Sequence, residues 1–255
     1  MEWSYAVSGL IGGFLVGLTG VGGGSLMTPL LVMAFGIPPS TAVGTDLLYA
    51  AATKASGVWA HHRKRNVDWR ATRLLLLGSV PATLLTLVAL RSFKPTPGFE
   101  SVIRHGLAVA LALTAAALLC GLFKQRCTLI PAETPGPPAP ILLTLLLGGL
   151  IGLLVTVSSV GAGALGTAVL VALYPKMPMA RIVGTDIAHA VPLTLLAGLG
   201  HFTLGHVNAG LLGNLLVGSL PGIWLGSHLN AHIPERVSRL LLSTLLLLIA
   251  AKMGF

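Results

Sequence analysis

Apolar residues run along this chain in eight long stretches, each closed by a short segment of basic, polar or proline residues. They cover residues 3–35, 40–60, 72–90, 102–123, 139–174, 182–200, 207–231 and 237–251. About 20 consecutive apolar residues cross a bilayer as α-helix, so six of the stretches predict one transmembrane helix each. The other two, 3–35 and 139–174, are too long for one crossing and too short for two. Each breaks near its middle at small residues. The first has Thr19, Gly20, Val21, Gly22, Gly23, Gly24 and Ser25; the second has Ser158, Ser159, Val160, Gly161, Ala162, Gly163 and Ala164. Backbone that leaves the helix at membrane depth has to be buried in protein or line a watery cavity. Each long stretch is therefore expected to be a helical hairpin with its tip inside the membrane, and the fold class is an all-α membrane protein.

The pattern occurs twice. Gly44-Thr45-Asp46 returns as Gly184-Thr185-Asp186, 140 residues later. At the same offset Pro38 meets Pro178, Val43 meets Val183, Ala50 meets Ala190, His61 meets His201 and Val67 meets Val207. Gly78-Ser79-Val80-Pro81 meets Gly218-Ser219-Leu220-Pro221, and the two hairpin tips align one residue closer. Matches at a constant offset point to duplication. The expected organisation is a first repeat over 1–127, a proline-rich linker over 128–140 and a second repeat over 141–255. Each repeat is a glycine-tipped hairpin followed by three transmembrane helices. The four prolines of the repeat, Pro38, Pro178, Pro81 and Pro221, read as helix starts or kinks.

Composition agrees with the membrane assignment. Hydrophobic residues make up 54% and charged residues 9% of the chain, against roughly 25% charged in soluble domains, and the mean hydropathy is +0.88. The formal charge of +9 raises the question of nucleic acid. However, the basic residues cluster between apolar runs, as in His61-His62-Arg63-Lys64-Arg65, with no aromatic residues among them; charges placed in that way orient a membrane protein. No nucleic-acid partner is expected; the lipid bilayer is. Cys120 and Cys127 have neither CxxC spacing nor a histidine cluster, so a metal centre and a disulfide framework are both set aside. The N-terminus lacks the basic segment of a cleavable signal peptide.

Charge also orients the spans. One face collects Arg63, Lys64, Arg65, Arg70, Arg73, Lys124, Arg126, Lys176, Arg181, Arg236 and Arg239; the other has Arg91, Lys94, Arg104 and Lys252. The richer face, with the linker, is expected to be cytoplasmic and both termini outside. The loops after the two Gly-Thr-Asp helices then open on opposite faces, which predicts inverted repeats, the architecture of many secondary transporters.

The chemistry is expected at the tips. A half-helix starting there aims unpaired N–H groups and the positive end of its dipole at the membrane centre. Two such tips would cradle an anion through Gly22, Gly23, Gly24, Ser25, Ser159, Gly161 and Gly163, helped by Thr19 and Ser158. A glycine run in one membrane helix is more simply close packing; its recurrence in both over-long stretches favours a site. No Gly-Lys-Ser/Thr follows and no strand precedes, so this is neither a P-loop nor a dinucleotide fingerprint. Asp46 and Asp186 are the acidic residues deep in the spans. A buried charge in a bilayer is costly and marks pairing or function: the two either brace the tips or carry a proton. Lys54 either lines the anion path or snorkels to the end of its helix. His189, which aligns with Tyr49, reads as a hydrogen-bonded interior histidine.

The glycine-rich tip followed by Pro29, the Val-Gly-Thr-Asp helix, the basic loop and a weaker second copy resemble the TauE/SafE sulfite exporter family, over nearly the whole chain. The resemblance implies an inner-membrane transporter, not an enzyme and without a cofactor, for sulfite or related sulfur anions. It carries the motif onto Gly20, Gly22, Gly23, Gly24, Thr45 and Asp46, and onto Gly161, Gly163, Thr185 and Asp186. Thr45 and Thr185 thus join the expected binding set. Ala162 and Ala164 stand where the first copy has glycine and serine. The rival readings are an intramembrane aspartyl protease, in which Asp46 and Asp186 would share a proton, and an anion channel.

Overall fold

The computed structural model describes residues 3–19, 26–92, 97–124, 141–230 and 235–254, and all its regular structure there is helical. Ten α-helices follow in chain order: α1 (Trp3–Thr19), α2 (Met27–Phe35), α3 (Pro39–Arg63), α4 (Trp69–Ser92), α5 (Pro97–Lys124), α6 (Ile141–Ser158), α7 (Ala164–Leu173), α8 (Met179–Thr203), α9 (Ala209–Asn230) and α10 (Glu235–Gly254). The two over-long apolar stretches each divide into a long and a short helix. The short ones, α2 with 9 residues and α7 with 10, rise ~1.5 Å per residue and so span roughly half of a ~30 Å hydrocarbon layer.

Local chemistry sets the helix ends. Gly36 takes the left-handed conformation (φ 62°) that closes α2, and Pro178, extended at φ −56° and ψ 141°, precedes the first turn of α8. Asp68 caps α4, its Oδ1 accepting the N–H groups of Arg70 and Ala71 at 3.0 and 3.1 Å. Asn208 caps α9 in the same way, accepting from Leu211 at 3.0 Å. Each cap satisfies N–H groups that a first helical turn leaves without intrahelical partners. Pro81 and Pro221 lie inside α4 and α9 without ending them.

Among the described residues, five helices are long and apolar enough to cross a membrane: those containing Trp69–Ser92, Glu100–Cys120, Ile141–Ser158, Met179–Thr203 and Ala209–Gly226. Helix α3 is as long as α8, at 25 residues, but carries Asp46 and Lys54 and is the more polar of the two. Large apolar side chains such as Leu77, Leu85, Val88, Leu146, Leu220 and Leu248 are exposed; so much apolar surface suits hydrocarbon rather than water.

The two series α1–α5 and α6–α10 cross-pair. Gly9 and Gly13 of α1 lie against the backbone of Leu215 and Ser219 in α9, and Gly148 and Gly152 of α6 lie against Leu75 and Ser79 in α4. A methyl at any of the four would overlap backbone atoms of the facing helix. In both pairs the contact positions rise together, so α1 runs parallel to α9 and α6 parallel to α4. Helix α3 runs antiparallel to α8, with Gly57 facing Ile187 and Leu48 facing Gly198. The apolar clusters match as well. Leu31, Ala42, Leu211 and Leu215 pack together on one side, and their repeat counterparts Leu170, Ile182, Ala71 and Leu75 on the other. Between them Val43, Leu47, Ile151, Val155, Ala190 and Leu193 fill the centre around α3 and α8.

Candidate functional site

The second hairpin tip is fully described. Helix α6 ends at Ser158, whose hydroxyl donates to the Leu154 carbonyl at 2.6 Å and accepts the Val160 N–H at 3.2 Å. Ser159 then takes a left-handed conformation (φ 58°), and Gly161 (φ 110°) and Gly163 (φ 155°) adopt backbone shapes that side-chain-bearing residues rarely enter. These turns separate α6 from α7, which starts at Ala164. Ser158, Ser159, Val160, Ala162 and Ala164 are all buried, so the non-helical backbone is enclosed by protein, as membrane depth demands. The first tip, with Gly20, Gly22, Gly23, Gly24 and Ser25, lies outside the described residues, as does the side chain of Thr19.

Three charged side chains gather beside this tip. Asp46, in α3, is wholly buried and accepts the Thr28 hydroxyl of α2 at 2.5 Å through Oδ2. Its Oδ1 has no hydrogen-bond partner among the described residues. The Ser159 hydroxyl lies beside this carboxylate and likewise has no such partner. Asp186, in α8, is buried against Gly166 of α7, where a methyl would overlap its Oδ1. That Oδ1 is also without a hydrogen-bond partner. Lys54, two turns beyond Asp46, is only 8% exposed. Its ammonium donates to the Ala162 carbonyl at the tip and lies within electrostatic reach of both Asp186 and Asp46. Lys54 therefore points into the protein rather than snorkelling.

Neutral pairs flank the charges. His189 Nε2 hydrogen-bonds the Ser79 hydroxyl of α4 at 2.9 Å, as expected of an interior histidine. Its counterpart Tyr49 faces Ser219 of α9. Thr45 and Thr185 are engaged elsewhere. The Thr45 hydroxyl accepts the Asn208 N–H at 3.2 Å and the Thr185 hydroxyl accepts the Asp68 N–H at 2.9 Å. Gly44 packs under the His206 carbonyl and Gly184 under that of Asn66. The Gly-Thr half of each motif thus docks the loop that follows the other motif's helix, while the Asp half faces the hairpins.

An aspartyl dyad sharing a proton needs its two carboxylates in contact. Asp46 and Asp186 make no hydrogen bond to each other, and both instead have Lys54 as charged neighbour. Residues that the sequence did not single out complete the surroundings. Thr28 has a detectable signal, because Thr167 stands at its repeat position, and so do Ser79 and Ser219. Gly166 has none, since Met27 is its counterpart, and the Ala162 carbonyl is backbone.

Residues 5–253 match the family described as sulfite exporter TauE/SafE. The chain is 38% identical over 263 residues to the probable membrane transporter protein YjnA of Bacillus subtilis (strain 168), covering 99% of this chain and 100% of that one. To the probable membrane transporter protein YdhB of the same organism it is 28% identical over 228 residues, covering 88% and 89%. To the probable membrane transporter protein MJ0441 of Methanocaldococcus jannaschii it is 25% identical over 258 residues, covering 94% and 90%. No solved structure matches.

Proposed function

Because the chain belongs to the sulfite exporter TauE/SafE family, we propose that it is a secondary transporter exporting a small sulfur-containing anion, sulfite or an organosulfonate, across the cell inner membrane. Transport runs by alternating access between two inverted repeats, 1–127 and 141–255, joined by the linker 128–140. The antiparallel packing of the equivalent helices α3 and α8 supports the inversion. The basic loops and the linker face the cytoplasm and the termini face outward, as the Lys/Arg distribution favours.

The observation that carries this reading is Lys54, a buried ammonium seated on the backbone of a buried hairpin tip. A positive charge beside a helix start is a place for an anion. The anion sits between the tips, held by N–H groups and hydroxyls of Gly22, Gly23, Gly24, Ser25, Ser159, Gly161 and Gly163, with Lys54 as its counter-charge. Thr45 and Thr185 act from the loops they dock, steadying the helices that bear Asp46 and Asp186.

The test is sulfite efflux from proteoliposomes holding the purified protein, with thiosulfate, sulfate and sulfoacetate as competitors. Saturable efflux inhibited by at least one competitor is the expected result. Efflux that never saturates would make the protein a channel, and no movement of any sulfur oxyanion would overturn the substrate class.

A further inference from the structure

Two buried carboxylates and one buried ammonium do not balance. With Asp46 and Asp186 both ionised the cluster carries one net negative charge and repels the anion that Lys54 would otherwise attract. Burial makes the excess expensive, since an unpaired charge inside a membrane protein costs several kcal/mol by most measures. The hydrogen bonding has the same gap. Asp186 Oδ1 is a buried acceptor without a hydrogen-bond donor among the described residues, and Asp46 Oδ1 has only the neighbouring Ser159 hydroxyl beside it; one added proton supplies a donor and cancels the excess charge together.

Among the described residues no other charge is seated to do this. Facing the cluster are Thr28 from α2, Ser159 and the Ala162 carbonyl from the tip, and the titratable His189 from α8, which is held by Ser79 of α4. On its own helix stands Tyr49, opposite Ser219 of α9. Helix α6 contributes the apolar Ile151 and Val155 to this centre. On α5, Glu100 is engaged at the far start of α3, accepting the Ser40 hydroxyl at 2.5 Å and its N–H at 3.1 Å.

We propose that Asp46, Lys54 and Asp186 form a single proton-binding site shared by the two halves, and that the substrate anion binds Lys54 only together with protons on the carboxylates. The second part rests on the transport reading; the first does not. In the resting state one of the two carboxylates, Asp46 or Asp186, carries a proton and the other is ionised. As an anion arrives the remaining carboxylate also becomes a carboxylic acid, leaving Lys54 as the net charge the anion meets. No bond other than O–H forms or breaks. The anion thus travels with a proton in the same direction, and a monovalent anion moves without net charge.

Two measurements separate the parts. Infrared difference spectroscopy on the purified protein in lipid, without substrate, reads the carboxylic-acid carbonyl signal near neutral pH. The expected result is a signal in the wild type, abolished by Asp46→Asn and equally by Asp186→Asn, because either change leaves one carboxylate balancing Lys54. Lys54→Met should strengthen it, which a merely structural lysine would not do. Circular dichroism checks that each variant folds. A wild type without the signal, or a signal removed by only one of the two Asn changes, overturns the shared site.

The second measurement loads wild-type proteoliposomes with a pH dye and with methanesulfonate or thiosulfate, both fully ionised near neutral pH. Outward anion movement should make the lumen more alkaline, and methanesulfonate movement should be indifferent to an imposed membrane potential. Anion movement that follows the potential and leaves the lumen pH unchanged overturns the coupling but keeps the transport reading. If neither these anions nor sulfite move, the coupling and the transport reading fall together, and the infrared result still decides the proton site.

Discussion

Asp46 and Asp186 stand at equivalent places in the two halves, yet their surroundings differ at almost every other position. Asp46 receives a hydroxyl from Thr28, whereas Asp186 lies on the bare backbone of Gly166. Lys54 follows Asp46 on its helix; its counterpart Thr194 returns its hydroxyl to the Ala190 carbonyl of its own helix at 2.9 Å. Tyr49 opposes Ser219 where His189 opposes Ser79. The shared residues, Gly44 with Gly184 and Thr45 with Thr185, hold the same loop contacts in both halves. The matching positions therefore share a scaffold, while the charges stand at single positions where the two halves differ. One lysine supplied by the first half is charged neighbour to the aspartates of both.

The comparison breaks most directly at Lys54. Lys54→Thr copies the second half into the first and leaves two buried carboxylates without a cation. Removing one partner of a buried ion pair costs about 3–5 kcal/mol, so thermal stability in detergent should fall sharply and sulfite efflux should be lost. Retained efflux would remove Lys54 from the site. Next comes Gly166→Ala, whose methyl has to displace the Asp186 carboxylate. Overpacking of this kind costs about 1–3 kcal/mol, and efflux should fall by about fivefold or more if that cost falls on the transport step. Unchanged efflux and melting would mean that Asp186 has room the structure does not give it.

Thr28→Val tests the other aspartate. It keeps the shape of α2 and removes the hydroxyl from Asp46; a hydrogen bond to a charged group contributes about 1.5–3 kcal/mol. The loss should fall to about 0.5–1.5 kcal/mol if Asp46 is protonated, since the hydroxyl then bonds a neutral acid. The smallest effect is expected at the loops. Arg181 pairs with Asp68 at 3.1 Å, with side chains 48% and 24% exposed, whereas Asn208 holds the matching place uncharged. Asp68→Asn makes the two loops alike and should shift stability by less than about 1 kcal/mol, because asparagine caps a helix about as well as aspartate. A larger drop would show that the ion pair holds α4 to α8.

Much of this fold was legible. The six single-span stretches became α3, α4, α5, α8, α9 and α10, and 139–174 became α6, a buried turn and α7. Among the described residues α4, α5, α8 and α9 are long and apolar enough to cross a membrane, whereas α3 is more polar and α10 is apolar over the shorter Leu240–Met253. Helix α5 begins earlier than its apolar stretch, at Pro97, since Glu100 is usefully placed at its start, accepting from Ser40. Within the described residues, Asp46, Asp186 and Lys54 lie beside the tip that carries Ser159. The assignment of Thr45 and Thr185 to substrate was made from a motif, and a motif is silent about side-chain direction. Neighbours on a helix point about 100° apart, enough to send Asp46 to the hairpin and Thr45 to the loop. The seat of Lys54 was invisible for another reason: its partner is the carbonyl of Ala162, and any residue there would offer the same oxygen.

The parallel contact of α1 with α9 also governs the order of events at the ribosome. Helix α1 closes at Thr19 and the glycines that line it find their partner only when Ala209 and its successors emerge. At about 5–20 residues per second that interval lasts on the order of ten to forty seconds. Throughout it α1 rests against lipid or an insertion factor, with its small-residue stripe uncovered. The last fifth of the message thus completes the packing of the first helix.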